Sequence, residues 1–171
     1  MRLEFSRRYS MAHRLIADAS SKCATPHGHD EVVRITLKAK GPLAYGGANM
    51  AAPFEKAKGR WNRWIDEVVD HAFHVASNDP IIGFFRDHEP AQLSRLMVFD
   101  GDPTTEALSV AFFAKLSAFL ADDALFEPVA VAIQETPSNT VVLTAQDFAA
   151  IAWRPGAWCA RADDSINDLA R

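Results

Sequence analysis

Nine residues, CATPHGHDE from Cys23 to Glu31, hold one thiol, two imidazoles and two carboxylates. A third imidazole, His13, lies upstream in SMAHRL. His27 and His29 are two positions apart, and on a β-strand that spacing turns both side chains to one face. Gly28 between them allows a third group to come close. Three neutral imidazoles converging in this way suit Zn²⁺, and three protein ligands leave a fourth position open for water or substrate. Cys23, four residues before His27, has three readings. It is a fourth ligand closing a Cys-His₃ structural site, or a thiolate base or nucleophile beside an open ion, or a loop thiol without a role.

Further along the chain, Asp70-His71 can act as a carboxylate that orients and polarises an imidazole. The competing explanation is a histidine that favours a helix C-terminus. Glu135 ends a run in which Val131 and Ile133 share its face. A carboxylate on an apolar face needs partners, and a ligand edge with paired N–H donors would supply them in a bidentate contact. The alternative is a glutamate beyond the buried part of the strand. Thr104, Thr105 and Glu106 open a helix, where an acidic side chain is favoured in any case.

These groups need elements to carry them. In LEFSRRYSMAH, Leu3, Phe5, Tyr9, Met11 and His13 share one parity, which predicts a half-buried strand interrupted at Arg7. In HGHDEVVRITLKAK, Val33, Ile35, Leu37 and Ala39 share a parity that extends back to Glu31, His29 and His27. Phe54, Ala57, Trp61, Trp64, Ile65 and Val68 recur at helical spacing up to about Asp70. Residues 77–103 read as irregular, with a short strand at LMVF. Asp102-Pro103 predicts a helix N-cap followed by proline, and Leu108, Phe112, Leu116, Phe119 and Leu120 make that helix's apolar stripe. PVAVAIQE and TVVLTAQ, joined by TPSN, predict a hairpin. The expected fold is α+β: an antiparallel four-stranded sheet of two hairpins, with two helices inserted between strands 2 and 3.

The 171 residues, 49% hydrophobic, are expected to form one domain over 1–171, with a core of about 1–150 and a C-terminal extension at 151–171. The formal net charge of −4, with both signs interspersed, argues against nucleic acid as a partner. No apolar run reaches the roughly 20 residues of a membrane span, and no signal peptide opens the chain. Two cysteines do not make a disulfide framework. The expectation is a cytoplasmic protein without membrane partners.

Taken together, SMAHRL, CATPHGH, VVDHAF, PTTEAL and IQET resemble, in order and over residues 5–145, the 6-pyruvoyl- and 6-carboxy-tetrahydropterin synthases, a branch of the tunnelling-fold enzymes. The resemblance implies that His13, His27 and His29 bind Zn²⁺. It makes Cys23 the proton-abstracting residue, with Asp70 and His71 as relay partners. It makes Glu135 the anchor of a pterin's amino-pyrimidine edge, with Thr104, Thr105 and Glu106 near the ring. The Cys-x₃-His-Gly-His spacing is of the bacterial 6-carboxy type. The implied reaction is conversion of 7,8-dihydroneopterin triphosphate to 6-carboxy-5,6,7,8-tetrahydropterin, on the route to queuosine and other 7-deazaguanines. The alternatives are 6-pyruvoyl-tetrahydropterin synthesis, a folate-related side-chain cleavage of dihydroneopterin, or a zinc-stabilised binding module. The resemblance also implies a homohexamer of two stacked trimers. Three departures from the family pattern stand out. Asp30 and Glu31 follow HGH in place of a small polar residue and an aromatic, and ANMAAPFEKAK lacks the acidic residue often found before the first helix. The linker from Pro80 to Asp102 and the tail after Ile151 are not typical of the family.

Overall fold

The computed structural model describes residues 1–17, 20–43, 45–152 and 156–169. Of the expected C-terminal extension, residues 153–155 and 170–171 lie outside the described residues. In chain order the elements are β1 (Arg2–His13), α1 (Ser21–Ala24), β2 (His27–Ala39), α2 (Phe54–Trp64), β3 (Ala72–Ala76), α3 (Ile81–His88), β4 (Leu96–Phe99), α4 (Thr105–Phe119), β5 (Phe126–Thr136), β6 (Asn139–Thr144) and α5 (Ala145–Ala150). The strands form one sheet in the order β4-β3-β1-β2-β5-β6.

The four strands expected from alternation are present, and β1-β2-β5-β6 is antiparallel throughout. The expectation of a four-stranded antiparallel sheet is nevertheless corrected: six strands make a mixed sheet, because β3 pairs parallel with β1 and β4 parallel with β3. Between β2 and β5 lie three α-helices and two strands, not two helices alone. The short strand expected at LMVF is present as β4; AFHVA carries no such expectation, its five residues being too few to display an alternation.

The predicted parity is met on both long strands. Tyr9, Met11 and His13 are buried on β1, as are Glu31, Val33, Ile35, Leu37 and Ala39 on β2. Arg7 shares the inward parity of β1 but reaches past the core edge, where its guanidinium forms a fork on the Asp66 carboxylate at 2.5 and 2.7 Å. Helices α2 and α4 cover this face, whereas α3 packs Ile82 against Val75 and Leu96 on the other face of β3 and β4. Trp61 and Trp64 of α2 meet Phe112 of α4 edge-on, with ring centroids 5.6 and 5.3 Å apart. Burial of rings of this size stabilises the fold by roughly 2–3 kcal/mol each. Beyond Trp64 the helix widens into a π-helical turn, Ile65–Val69, which ends at Asp70.

The second long helix starts later than the Asp-Pro signal suggests. Thr104 is its N-cap, accepting from the Ala107 amide at 3.3 Å. Asp102 is drawn away because its carboxylate accepts the amides of Ile16 and Ala17, at 2.8 and 2.9 Å. That contact ties the segment after β1 to the start of α4. Among the described residues, no helix is long and apolar enough to cross a membrane.

Candidate active site

The β1–β2 register sets His13 opposite His27 and Met11 opposite His29. All three imidazoles therefore lie at one end of the strand pair. Their ring centroids are 4.5, 5.1 and 5.1 Å apart, and their ligand nitrogens lie within 4.8 Å of one another. A Cβ on Gly28 would sit 2.6 Å from the Met11 carbonyl oxygen. The third group that approaches this glycine is thus the backbone of the neighbouring strand.

The nitrogens are already oriented. His13 Nδ1 lies 3.0 Å from the Pro103 carbonyl and His27 Nδ1 lies 2.9 Å from the Thr25 carbonyl. Both contacts place the ring proton on Nδ1 and leave Nε2 with its lone pair free, the usual support of a metal-bound imidazole. The Nε2 atoms of His13 and His27 are 3.1 Å apart. A tetrahedral ion with bonds of about 2.0–2.1 Å holds neighbouring nitrogens about 3.3 Å apart, so His13 and His27 already stand at nearly that spacing. Burial, with the other two imidazoles, lowers the pKa of His13 against the opposing pull of the Pro103 carbonyl and Glu135. A neutral ring is the state that ligates.

Cys23 sits in α1, half-exposed and outside the imidazole cluster. Ser20 caps this short helix, accepting from the Cys23 amide at 3.4 Å, and its hydroxyl lies 3.3 Å from Sγ. The Cys23 carbonyl accepts the Leu15 amide at 2.9 Å, which ties the thiol's segment to the chain leaving β1.

Glu135 lies near the end of β5 and accepts a hydrogen bond from the Thr105 hydroxyl at 2.8 Å. These two predicted residues are brought together. Thr104 instead turns its hydroxyl to the helix cap, and Glu106 is exposed.

Asp70 and His71 form a pair, with His71 Nδ1 3.0 Å from the Asp70 carboxylate. The other Asp70 oxygen accepts the Ser10 amide at 2.8 Å, and His71 N–H donates to the Ser10 carbonyl at 2.8 Å. His71 takes a left-handed φ of +63°, sparsely populated for a residue with a side chain. Partial burial would raise the Asp70 pKa, but the Ser10 amide, the His71 ring and Arg95 outweigh it and hold the carboxyl below its ordinary value. The His71 side chain is 77% exposed. The pair is preassembled, yet it is not part of the imidazole cluster.

The two departures after HGH fall on opposite faces. Asp30 points away from the site and pairs with the Arg8 guanidinium. Glu31 points inward, only 1% exposed, and bonds the Tyr9 hydroxyl. Burial, opposed by the Tyr9 bond and reinforced by Glu135, pushes the Glu31 pKa up to about 7. Sequence reasoning missed His74. It is fully buried next to His13 in the β1–β3 register, and neither ring nitrogen has a partner among the described residues. Burial draws its pKa down to about 3. The parity of AFHVA could have marked it as inward-facing, had that run been read as a strand.

Comparison with known proteins agrees with this geometry. The sequence model described as 6-pyruvoyl tetrahydropterin synthase matches residues 2–146. A 6-carboxy-5,6,7,8-tetrahydropterin synthase from Rickettsia bellii is 27% identical over 130 residues, covering 76% of this chain and 90% of that protein. The structure of an uncharacterised protein from Wolinella succinogenes superposes with a TM-score of 0.69 at 19% identity, covering 85% of this chain and 98% of the other. The 6-pyruvoyl tetrahydropterin synthase of Caenorhabditis elegans superposes with a TM-score of 0.57 at 22% identity, covering 85% and 95%. At these identities the structural matches speak for the fold.

Proposed function

Because the chain belongs to the 6-pyruvoyl tetrahydropterin synthase family, we propose that it is a zinc-dependent pterin lyase that converts 7,8-dihydroneopterin triphosphate to 6-carboxy-5,6,7,8-tetrahydropterin. The observation that carries this reading is the His13–His27–His29 cluster, with the Cys23 thiol close by in sequence but outside it. Three imidazoles without a fourth protein ligand are the donor set of an open, catalytic zinc site. The Cys-x₃-His-Gly-His spacing and the name of the Rickettsia relative favour the 6-carboxy product.

The roles follow from chemistry. A zinc ion held by the three histidines would supply Lewis acidity at the hydroxyls of the substrate side chain, making the adjacent C–H protons more acidic. Cys23, as thiolate, removes one of these protons. Asp70 holds His71 through Nδ1, so that Nε2 is the atom left to exchange a proton with the thiol. Glu135, its carboxylate steadied by the Thr105 hydroxyl, accepts the ring N3–H and 2-amino protons and fixes the ring, so that its side chain falls near the histidines. Triphosphate leaves, and retro-aldol cleavage releases acetaldehyde with one water consumed.

The test is direct. The zinc-loaded protein is incubated with 7,8-dihydroneopterin triphosphate and the products are identified by mass. The expected products are 6-carboxy-tetrahydropterin and acetaldehyde in equal amounts. Accumulation of 6-pyruvoyl-tetrahydropterin without acetaldehyde would move the chain to the 6-pyruvoyl reaction. Glu135→Gln is expected to weaken binding of a pterin that lacks the triphosphate by about tenfold or more, because an amide cannot replace a carboxylate that accepts two N–H bonds. Calorimetry gives the affinity, and an unchanged value would remove Glu135 from the ring site.

A further inference from the structure

The segment Gly156–Leu169 lies beyond the residues that match the family. It folds back along β4, the end strand of the sheet. End strands present unpaired backbone groups to any chain that can add a strand, and LMVF is a sequence well suited to such pairing. Here each outward group is taken. The Leu96 amide bonds the Leu93 carbonyl. The Leu96 carbonyl accepts from Asn167 Nδ2 at 2.8 Å, and the same amide group reaches the Leu93 carbonyl at 2.9 Å. The Val98 amide donates to the Ile166 carbonyl at 3.1 Å, and the Val98 carbonyl accepts from Trp158 Nε1 at 2.6 Å. Phe99 turns its carbonyl the other way, to the Ser77 amide at 2.7 Å. The folded-back segment itself supplies one backbone bond, from Ile166, and its side chains supply the others.

The segment is pinned from inside. Lys115, in the middle of α4, is fully buried. Its ammonium donates to the carbonyls of Trp158, Arg161 and Asp163 at 2.8, 3.0 and 2.9 Å. Burial draws its pKa down to about 8, which leaves it charged at neutral pH. Three carbonyls on one ammonium fix the turn that presents Trp158 and Ile166 to β4. Trp64 Nε1 adds a bond to the Asp164 carbonyl at 3.3 Å, which links the segment to α2.

The rest of the sheet is not closed in this way. Among the described residues β6 pairs only with β5, and β1 from Arg2 to Tyr9 pairs only with β2, Ser10 being bonded to Asp70 and His71. Val142 on β6 is 60% exposed.

We propose that Gly156–Leu169 is a self-docking strap, pinned by Lys115, that seals the β4 edge so that a second copy of this chain can extend the sheet only at β6 and at the free side of β1. The strap acts by exclusion: it decides which edges are open to assembly, whatever reaction the active site performs.

The test uses the full chain. Trp158→Phe with Asn167→Ala removes three hydrogen bonds to the edge and its neighbour while keeping the buried ring. Lys115→Met removes the pin by a different route. Amide exchange at Val98 and the mass distribution in light scattering are measured for the parent and both variants. Val98 exchange is expected to rise by about tenfold or more, with the Val33 and Ile35 amides unchanged. The parent's assemblies are expected to give way to larger, heterogeneous ones. Faster Val98 exchange with the parent's mass distribution would show an edge that is open but recruits nothing, which overturns the proposal. Unchanged Val98 exchange in both variants would overturn it at the earlier step, because the strap would not be what protects the edge.

Discussion

Cys23→Ala is expected to keep about one zinc per chain and to lose turnover by about 10²–10⁴-fold, the range for removal of a proton-transfer group. His27→Ala is expected to lose both the metal and the activity. The contrast follows from position. The three ring nitrogens lie within 4.8 Å of one another, two of them oriented by carbonyls at 2.9 and 3.0 Å. The thiol sits on a separate turn of helix, held by Ser20 and Leu15. Removing one of three ligands leaves a two-nitrogen site, too few for a stable tetrahedral ion. Removing the thiol leaves the ligand set untouched. Metal content by elemental analysis and turnover with 7,8-dihydroneopterin triphosphate are measured on the same preparations. Release of zinc from Cys23→Ala would refute the catalytic-base role and restore the closed Cys-His₃ binding module.

The cluster itself was legible in the sequence because strand geometry is strict. A period of two, continued back from Val33 through His29 to His27, puts all three side chains inward, and the burial of Met11 and His13 on β1 agrees. The same period places Glu135 two residues beyond Ile133, but does not reveal the register shift between β5 and β6 at that point. Strand β4 is expected as the short run LMVF, but β3 is missed, since five residues barely display a period and it follows directly on a widened helix. Asp102 misled because its carboxylate has a distant customer: amides some 85 positions earlier outcompete the local cap. Lys115 lies on the inner side of α4 and would ordinarily mark a solvated face. Nothing local reveals that three carbonyls from the far end of the chain receive it. Asp30 and Glu31, adjacent in sequence, could be assigned to opposite faces, but not their partners. Arg8 and Tyr9 are chosen by the β1–β2 register, in which Arg8 lies opposite Val32 and Tyr9 opposite Glu31.

Mixing Cys23→Ala chains with His71→Ala chains, followed by disassembly and reassembly, is expected to restore activity that neither variant has alone. His71 is bonded to Asp70 yet 77% exposed, an unusual state for a proton relay, which works within hydrogen-bond reach and away from bulk water. The open edges at β1 and β6 offer a second copy of the chain as the missing cover. If each site takes Cys23 from one chain and Asp70-His71 from its neighbour, a site is complete whenever a His71→Ala chain supplies the thiol and a Cys23→Ala chain supplies the relay. In a cyclic assembly mixed at random in equal amounts, about one quarter of the sites meet that condition. Recovered turnover should therefore approach about a quarter of the parent's, and should vanish when either variant is omitted. Subunit exchange is verified by mass on isotope-labelled chains. Complete exchange without recovery would place thiol, relay and metal within a single chain, and the exposure of His71 would then have to be closed by that chain's own movement.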